Sequence, residues 1–491
     1  MKERIYQLLP RLWGSGKFSS IDTKSLEYLH TLGVDCIWLT GIVRHASRWG
    51  TSPQKVVKGD AGSPYAITDY YDVNQYLADC AENRMDEFEN LLKRIHSAGF
   101  KLLIDFVPNH VAREYSGKAA PSGVRPLGAD DDSSVHWKAE NDFFYYPGET
   151  LRLPVDSDYE EYPARASGNA FTSAPGMNDW WETVRLNYCP FHTGTWDKMY
   201  EIVRFWALKG VDGFRCDMVE LVPPEFMKWL ISRIKEEFPS VRFVAEVYQK
   251  EKYRFYSEEV GFDLLYDKSG LYDTLRAVMC SGQTARSISW NWQSLGDLQP
   301  RMLNFLENHD EQRLASDFFA HSPEAGYAAL AVSLLLNDAP FMLYAGQEAG
   351  ERGMQAEGFS ALDGRTSIFD WCHPDSLVHL ANYIHGKPDG LDEEEKSVLQ
   401  RYRELLQLSR KSVFASGNTY DLCYCQGEGF NPDRHFAWLR YDKSECWLLI
   451  ANFGADADIK VHIPSDCGLP EGEYCVFVPS NDFALKHISL K

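Results

Sequence analysis

Four short segments carry the ionisable residues best placed to do chemistry: Asp105 to His110 (DFVPNH), Gly213 to Asp217 (GFRCD), Val244 to Val247 (VAEV) and Phe305 to Asp310 (FLENHD). Each reads as the tail of an apolar strand that ends in polar groups. Asp217, Glu246 and Asp310 supply three carboxyls suited to work on a sugar acetal, whose cleavage needs a protonated leaving oxygen and a stabilised oxocarbenium-like centre. When configuration is retained, a carboxylate attacks one face while a carboxylic acid protonates from the other, so the two need different environments. Arg215 lies two residues before Asp217, on the same face of a strand, where a cation would lower the aspartate's pKa and keep it ionised. Glu246 is flanked by Val244, Ala245 and Val247, so burial should raise its pKa and suit it to hold and return a proton. It follows Asp217 by 29 residues, room for one helix and one strand. Glu307 is a rival to Asp310 as third carboxylate. Alone, an Arg–Asp pair can simply close the end of a sheet, and a lone buried glutamate is ordinarily structural. The order of the four segments gives them their meaning.

The elements around these segments repeat a pattern of amphipathic helix, glycine and apolar strand. Leu26, Leu29 and Leu32 precede Gly33 and the strand Cys36 to Leu39. Phe88, Leu91, Leu92 and Ile95 precede Gly99 and Leu102 to Val107. Met199, Ile202, Val203 and Trp206 precede Gly210 and Gly213 to Asp217. Helical spacing buries one helix face and glycine closes the helix. The continuously apolar strands fit a parallel sheet covered on both faces. Because polar groups sit at the C-terminal ends of several strands, the spacing predicts a (β/α)8 TIM barrel, whose strand ends converge on one mouth. Strands are expected near 5–12, 36–43, 102–107, 213–217, 242–247, 263–267, 302–307 and 340–345. From His110 to Met199 no helical period is clear, so 111–190 is assigned to an inserted irregular domain after the third strand. Short alternating strands from about Gly417 predict a C-terminal all-β domain, a β-sandwich over 416–491, leaving 1–110 and 191–415 to the barrel.

With 491 residues, 44% hydrophobic, 25% charged and a net charge of −21, the chain reads as globular and ill-suited to nucleic acid or an anionic membrane surface. No run of about 18 apolar residues suggests a membrane span, and the N-terminus leads into a strand rather than a cleavable signal. Eleven scattered cysteines read as structural thiols of a reducing cytoplasm, the expected location. Cys423 and Cys425 form only a weak CxC. No Gly-rich phosphate loop or metal-ligand cluster stands out.

The four segments, in this order, resemble the α-amylase family of retaining glycoside hydrolases and transglycosylases, over about residues 1–410. The resemblance implies that Asp217 is the nucleophile, Glu246 the acid/base, and Asp310 a carboxylate that binds hydroxyls of the distorted sugar. It implies that His110 and His309 donate to sugar hydroxyls, that Arg215 lies beside the nucleophile, and that Tyr65 stacks on the sugar beside the scissile bond. Aromatic residues of the insert, among them Trp137, Phe143, Phe144, Tyr145, Tyr146, Trp180 and Trp181, would form its core, with some lining further subsites. The expected partner is an α-glucan or maltooligosaccharide, with no assembly implied.

Two departures stand out. Many family members bind a structural calcium, and Asn109 matches one ligand, but Arg185 stands where an aspartate is common, and a cation there opposes a divalent ion. No cofactor or metal is therefore expected; Asp130 to Asp132 read as solvated loop aspartates. After Asp217 come Met218, Val219 and Glu220, where many α-amylases have small residues followed by Lys-His, which leaves linkage preference and acceptor open. The leading expectation is hydrolysis of α-1,4-glucosidic bonds. The alternatives are a transglycosylase, a short-oligosaccharide α-glucosidase, or a glycan-binding barrel without activity.

Overall fold

The computed structural model describes residues 2–48, 56–189, 194–355, 358–359, 361–465 and 468–490. Eight parallel strands run in sequential order around a barrel: β1 (Arg4–Leu8), β2 (Cys36–Leu39), β3 (Lys101–Phe106), β4 (Gly213–Cys216), β5 (Arg242–Ala245), β6 (Leu264–Tyr266), β7 (Met302–Leu303) and β8 (Phe341–Tyr344). The seam between β7 and β8 is held by one bridge, in which Asn304 N–H donates to Pro340 O (2.9 Å) and Met342 N–H donates to Asn304 O (2.8 Å).

All eight strands lie where the apolar runs predicted them, but several stop early. The expected 5–12 strand ends at Leu8, and Pro10–Leu12 is a 3-10 turn whose first residue has no N–H for a ladder. The second strand stops before Gly41, whose φ of +73° turns the chain out of the sheet. These early exits are functional, because they free the last residues of each motif from ladder bonding and turn them toward the mouth.

Helices α1 (Thr23–Leu32), α2 (Arg84–Ser97) and α3 (Gly194–Lys209) bury the anticipated leucine, isoleucine and aromatic faces against the strands. The α1 start is capped by Asp22, which accepts from Ser25 N–H at 3.0 Å. A later helix, Tyr327–Leu335, is buried along its whole length. The C-terminal sheet lies over its outer side: Trp438 Nε1–H donates to Leu335 O (3.3 Å), and buried Arg440 donates to Phe414 O (2.9 Å) and Thr419 Oγ1 (2.6 Å). That cover explains an apolar helix without a polar stripe. The C-terminal region pairs Asn418–Asp421, His435–Tyr441, Cys446–Asn452 and Phe483–Ile488 in one antiparallel sheet, and Ala457–Ile463 with Gly472–Val478 in another. Leu439, Leu448, Ile450, Ile459 and Val461 fill the space between them.

The insert after β3 is pinned at both ends by one antiparallel pair, His110–Ala112 with Thr183–Arg185. Its acidic loop is not simply solvated. Asp131 accepts from the N–H groups of Asp142 (2.8 Å) and Phe143 (3.0 Å) and from Tyr145 Oη–H (3.0 Å). Asp142 accepts from Gly128 N–H (2.7 Å) and Thr195 Oγ1–H (2.8 Å) and pairs with Lys198, tying the insert to α3. Phe143, Tyr145 and Trp181 are buried as its core, whereas Trp137 is exposed. Among the described residues no helix is long and apolar enough to cross a membrane.

Glu307 proves to be a structural residue beneath the mouth. It is fully buried, and Arg313 Nη1 donates to its Oε1 at 2.7 Å while Leu314 N–H donates to Oε2. Arg313 also donates to Ala345 O (3.0 Å) after β8 and to Thr366 Oγ1 (2.7 Å). Removing one partner strands a buried charge, so Arg313→Met should lower unfolding free energy by about 3–5 kcal/mol, read from the denaturant midpoint. A loss below about 1 kcal/mol would show that this pair does not secure the β7–β8 seam.

Candidate active site

The three motif carboxyls meet around one guanidinium. Arg215, on β4, is fully buried; its Nη1 donates to Asp217 Oδ1 at 2.6 Å, and its Nη2 stands 2.9 Å from Glu246 Oε1 and 3.9 Å from Asp310 Oδ2. Its Nε–H donates to Tyr266 Oη at 3.2 Å, and its flat face is packed by Trp38, Tyr65 and Tyr266 with ring centroids 5.3–5.6 Å away. Burial works against this cation, but Glu246, Tyr266, Tyr65 and Asp217 outweigh it and raise its pKa well above the ordinary value. The guanidinium is a permanent charge in the floor of the site.

Above it opens a cavity of about 440 Å³ whose lining includes Tyr65, His110, Asp217, Glu246 and Asp310. Arg215 and His309 lie just beneath this wall and act on it through their partners. His309 Nδ1 receives a hydrogen bond from Gln7 Nε2–H (2.7 Å), which leaves the proton on Nε2, 2.9 Å from Asp310 Oδ2 and 2.5 Å from Tyr65 Oη. The Tyr65 and His309 rings stack at 5.3 Å. Asp105, the first residue of its motif, accepts from Gly41 N–H at 3.1 Å and lies 3.4 Å from Tyr65 Oη. His110 is buried against Trp180 at 5.1 Å, with Asn109 Nδ2–H donating to its Nδ1 at 3.2 Å. Burial, and after it the charge of Arg185, push its pKa down to about 3, so its ring is neutral.

The carboxyls differ in environment, and not as the sequence suggested. Burial lifts the pKa of Asp217 well above the ordinary aspartate value; Arg215 opposes this, and the neighbouring charge of Glu246 adds to it. The cation two residues away was expected to win and does not, because burial of the carboxyl outweighs it and the charge of Glu246 adds to the burial. Burial also disfavours the Asp310 carboxylate, but His309, Arg215 and Arg365 together outweigh it and hold its pKa below the usual range. Glu246 receives Met218 N–H on Oε2 at 2.8 Å and Tyr248 Oη–H on Oε1 at 2.7 Å. Met218 points its amide there by adopting a left-handed backbone, φ 45°.

Several wall residues had no place in the motif reading. Tyr248 follows Glu246 by two residues, the same spacing that marked Arg215, and was legible by that rule. Arg365, which donates from Nε to Asp310 O at 2.7 Å and pairs with Asp363 at 2.8 Å, comes from an irregular loop after β8 with no periodic signal. Glu182, Lys58 and Phe369 also line the cavity, brought there by loops distant in sequence. Burial raises the pKa of Glu182.

An α-amylase catalytic-domain family model matches residues 13–395. The α-amylase MalA of Haloarcula japonica is 26% identical over 95% of this chain, which spans only 57% of that protein's length. A probable oligo-1,6-glucosidase 3 of Bacillus subtilis is 25% identical, covering 91% of this chain and 89% of its own. Among solved structures, a maltogenic α-amylase, AmyB of Thermotoga neapolitana, superposes with a TM-score of 0.65 at 20% identity, over 99% of this chain and 96% of its own. With its eight-stranded barrel and a family match across most of its length, this chain belongs to the α-amylase family of glycoside hydrolases.

Proposed function

We propose that the protein is a retaining hydrolase of α-1,4-glucosidic bonds in maltooligosaccharides or in starch- and glycogen-like glucans, working through a covalent glycosyl–Asp217 intermediate. The observation that carries this reading is the single Arg215 guanidinium reaching both Asp217 and Glu246. It keeps the two carboxyls close together, as the double-displacement mechanism requires.

Asp217 has one oxygen engaged by Arg215 and attacks the anomeric carbon with the other. As that bond forms, the bond to the leaving oxygen breaks and Glu246 gives that oxygen its proton. Water then gives a proton to the Glu246 carboxylate while its oxygen attacks the anomeric carbon and releases Asp217. Two closely spaced buried acids over one arginine favour retention of a proton by the pair, and the attacking role of Asp217 assigns it to Glu246 in the reactive complex. The Tyr248 hydroxyl can donate to the carboxylate or accept from the acid, so it stays bonded to Glu246 in both forms. Asp310, kept ionised, accepts hydrogen bonds from ring hydroxyls and supports positive charge as it develops. Tyr65 offers a face for the sugar, and neutral His110 offers a donor.

A second reading, cleavage of α-1,6 bonds in short oligosaccharides, is favoured by the oligo-1,6-glucosidase relative, which this chain matches over most of its length. Transfer to a sugar hydroxyl would use the same steps with a different acceptor.

Asp217→Asn should lose at least about 10⁴-fold in turnover with its fold intact by circular dichroism. Chromatography of maltoheptaose and isomaltotriose digests then separates the readings: shorter sugars of retained anomeric configuration from the first support α-1,4 hydrolysis, turnover of the second alone supports α-1,6 cleavage, and longer products indicate transfer. Inverted products would rule out the covalent intermediate.

The acidic limb of kcat/KM should also respond to His309. The Asp310 pKa is held down in the native site, so its carboxylate persists as pH falls until that low pKa is reached. As pH falls the nucleophile Asp217, whose pKa burial raises, protonates first; His309→Gln removes part of the support of Asp310, so its pKa rises and the steeper second fall of the acidic limb should begin at higher pH. An unmoved acidic limb would show that Asp310 ionisation does not limit catalysis.

A further inference from the structure

The antiparallel pair that pins the insert sets His110 directly opposite Arg185. Arg185 donates from Nη1 to Gly168 O at 3.0 Å and from Nη2 to Leu221 O at 3.1 Å, and its guanidinium lies 5.0 Å from the Phe171 ring centroid. Gly168 belongs to the insert, whereas Leu221 lies in the turn that follows Asp217. The Gly168 carbonyl also accepts from Asn109 Nδ2–H at 2.9 Å. A Cβ on Gly168 would meet Trp180 Cε3 at 2.9 Å and His110 Cβ at 3.2 Å, so this carbonyl is fixed against the cavity wall.

Main-chain carbonyls from the insert and from the barrel therefore converge on one point, with an asparagine beside them. Such a concentration of oxygen dipoles calls for a cation. A hard divalent ion would satisfy it with oxygen ligands alone. Here the guanidinium already bonds both carbonyls, and the asparagine offers its nitrogen to one of them. A calcium ion would stand against a fixed positive charge and lack a carboxylate, so these residues do not fit it.

We propose that Arg185 is a built-in cation that braces the insert on the barrel in place of calcium and positions the His110 side chain in the cavity wall. Three observations converge on this: the two carbonyl bonds, the shared Gly168 contact and the cross-strand placement of His110. The lowered His110 pKa agrees, since burial and then Arg185 disfavour its protonation. The other charged groups lining the cavity are Asp217, Glu246, Asp310, Glu311, Glu182, Lys58 and Arg365, with the tyrosines Tyr65 and Tyr248. Arg185 is thus a positioning residue, acting through the insert and through His110.

The test uses the full chain and needs no sugar substrate, so its result stands apart from that of the proposed reaction. Thermal unfolding of the wild type should be the same in EDTA and in millimolar calcium chloride; a calcium-dependent rise in Tm would overturn the proposal. Arg185→Asp supplies the missing carboxylate and should unfold at lower temperature in EDTA and recover with calcium but not with magnesium. Indifference of that variant to calcium would show that the carbonyls do not form a cation site. Should Arg185→Asp fail to fold, Arg185→Met serves, with an expected Tm loss of about 2–8 °C. Arg185→Lys, which keeps the charge, should recover part of that loss in EDTA and in calcium alike, whereas Arg185→Met should not. An Arg185→Lys variant no more stable than Arg185→Met would show that charge at this point does not brace the insert.

Discussion

Everything at the mouth of this barrel depends on burying one guanidinium beneath three carboxyls. Arg215 bonds Asp217, reaches Glu246 and faces Asp310, with three aromatic rings around it. Without it, the acids would confront each other in a poorly solvated cavity and each would tend to take up a proton. With it, the set is held together yet remains short of positive charge. Burial, only partly offset by Arg215, pushes the pKa of Asp217 up, whereas His309, Arg215 and Arg365 outweigh burial at Asp310 and bring its pKa down. The acid with its own histidine stays ionised, and the one that must share its arginine does not do so easily.

The rest of the fold can be read as support for that arrangement. Gln7 on β1 fixes the tautomer of His309, and His309 in turn bonds Asp310. The chain exits β2 at Gly41, whose amide holds Asp105 beside Tyr65. The left-handed turn at Met218 spends backbone strain to aim an amide at Glu246. Each device is a single hydrogen bond to a residue adjoining the sugar site. Each comes from a different strand end, as a barrel allows and a flat sheet does not.

The sequence made the strand ends legible because their chemistry is local. Arg215 and Asp217 share a face by the two-residue period, and Glu246 follows one helix and strand later. All seven residues singled out for the site lie in its wall or immediately beneath it. The electrostatic outcome was not legible, since the pKa of Asp217 depends first on how completely the carboxyl is buried and then on the charges gathered around it, properties of the folded assembly. Arg365 and Lys58 were missed for a related reason: they reach the cavity on irregular loops, where neither period nor neighbour marks a side chain's direction. Asp131 was misjudged because three loop aspartates look alike in sequence until backbone amides gather around one of them. Strand lengths were overestimated for the opposite reason, as apolar runs continue past the last ladder bond into the turns that serve the site.

The placement of Tyr248 links this electrostatic arrangement to the choice of acceptor. Its hydroxyl holds Glu246 at 2.7 Å while the residue itself remains more than a third exposed at the cavity edge. In the proposed mechanism, the group that takes a proton from the acceptor in the second half of the reaction is thus bonded to a side chain that borders solvent. In that mechanism the molecule that fills the leaving side after the first sugar departs, water or another glycan, meets Glu246 beside that ring. An aromatic face there offers a sugar a stacking surface and offers water little. Hydrolysis in this protein would then rest on access to the Glu246 carboxylate beside Tyr248, with the covalent step beneath it unchanged.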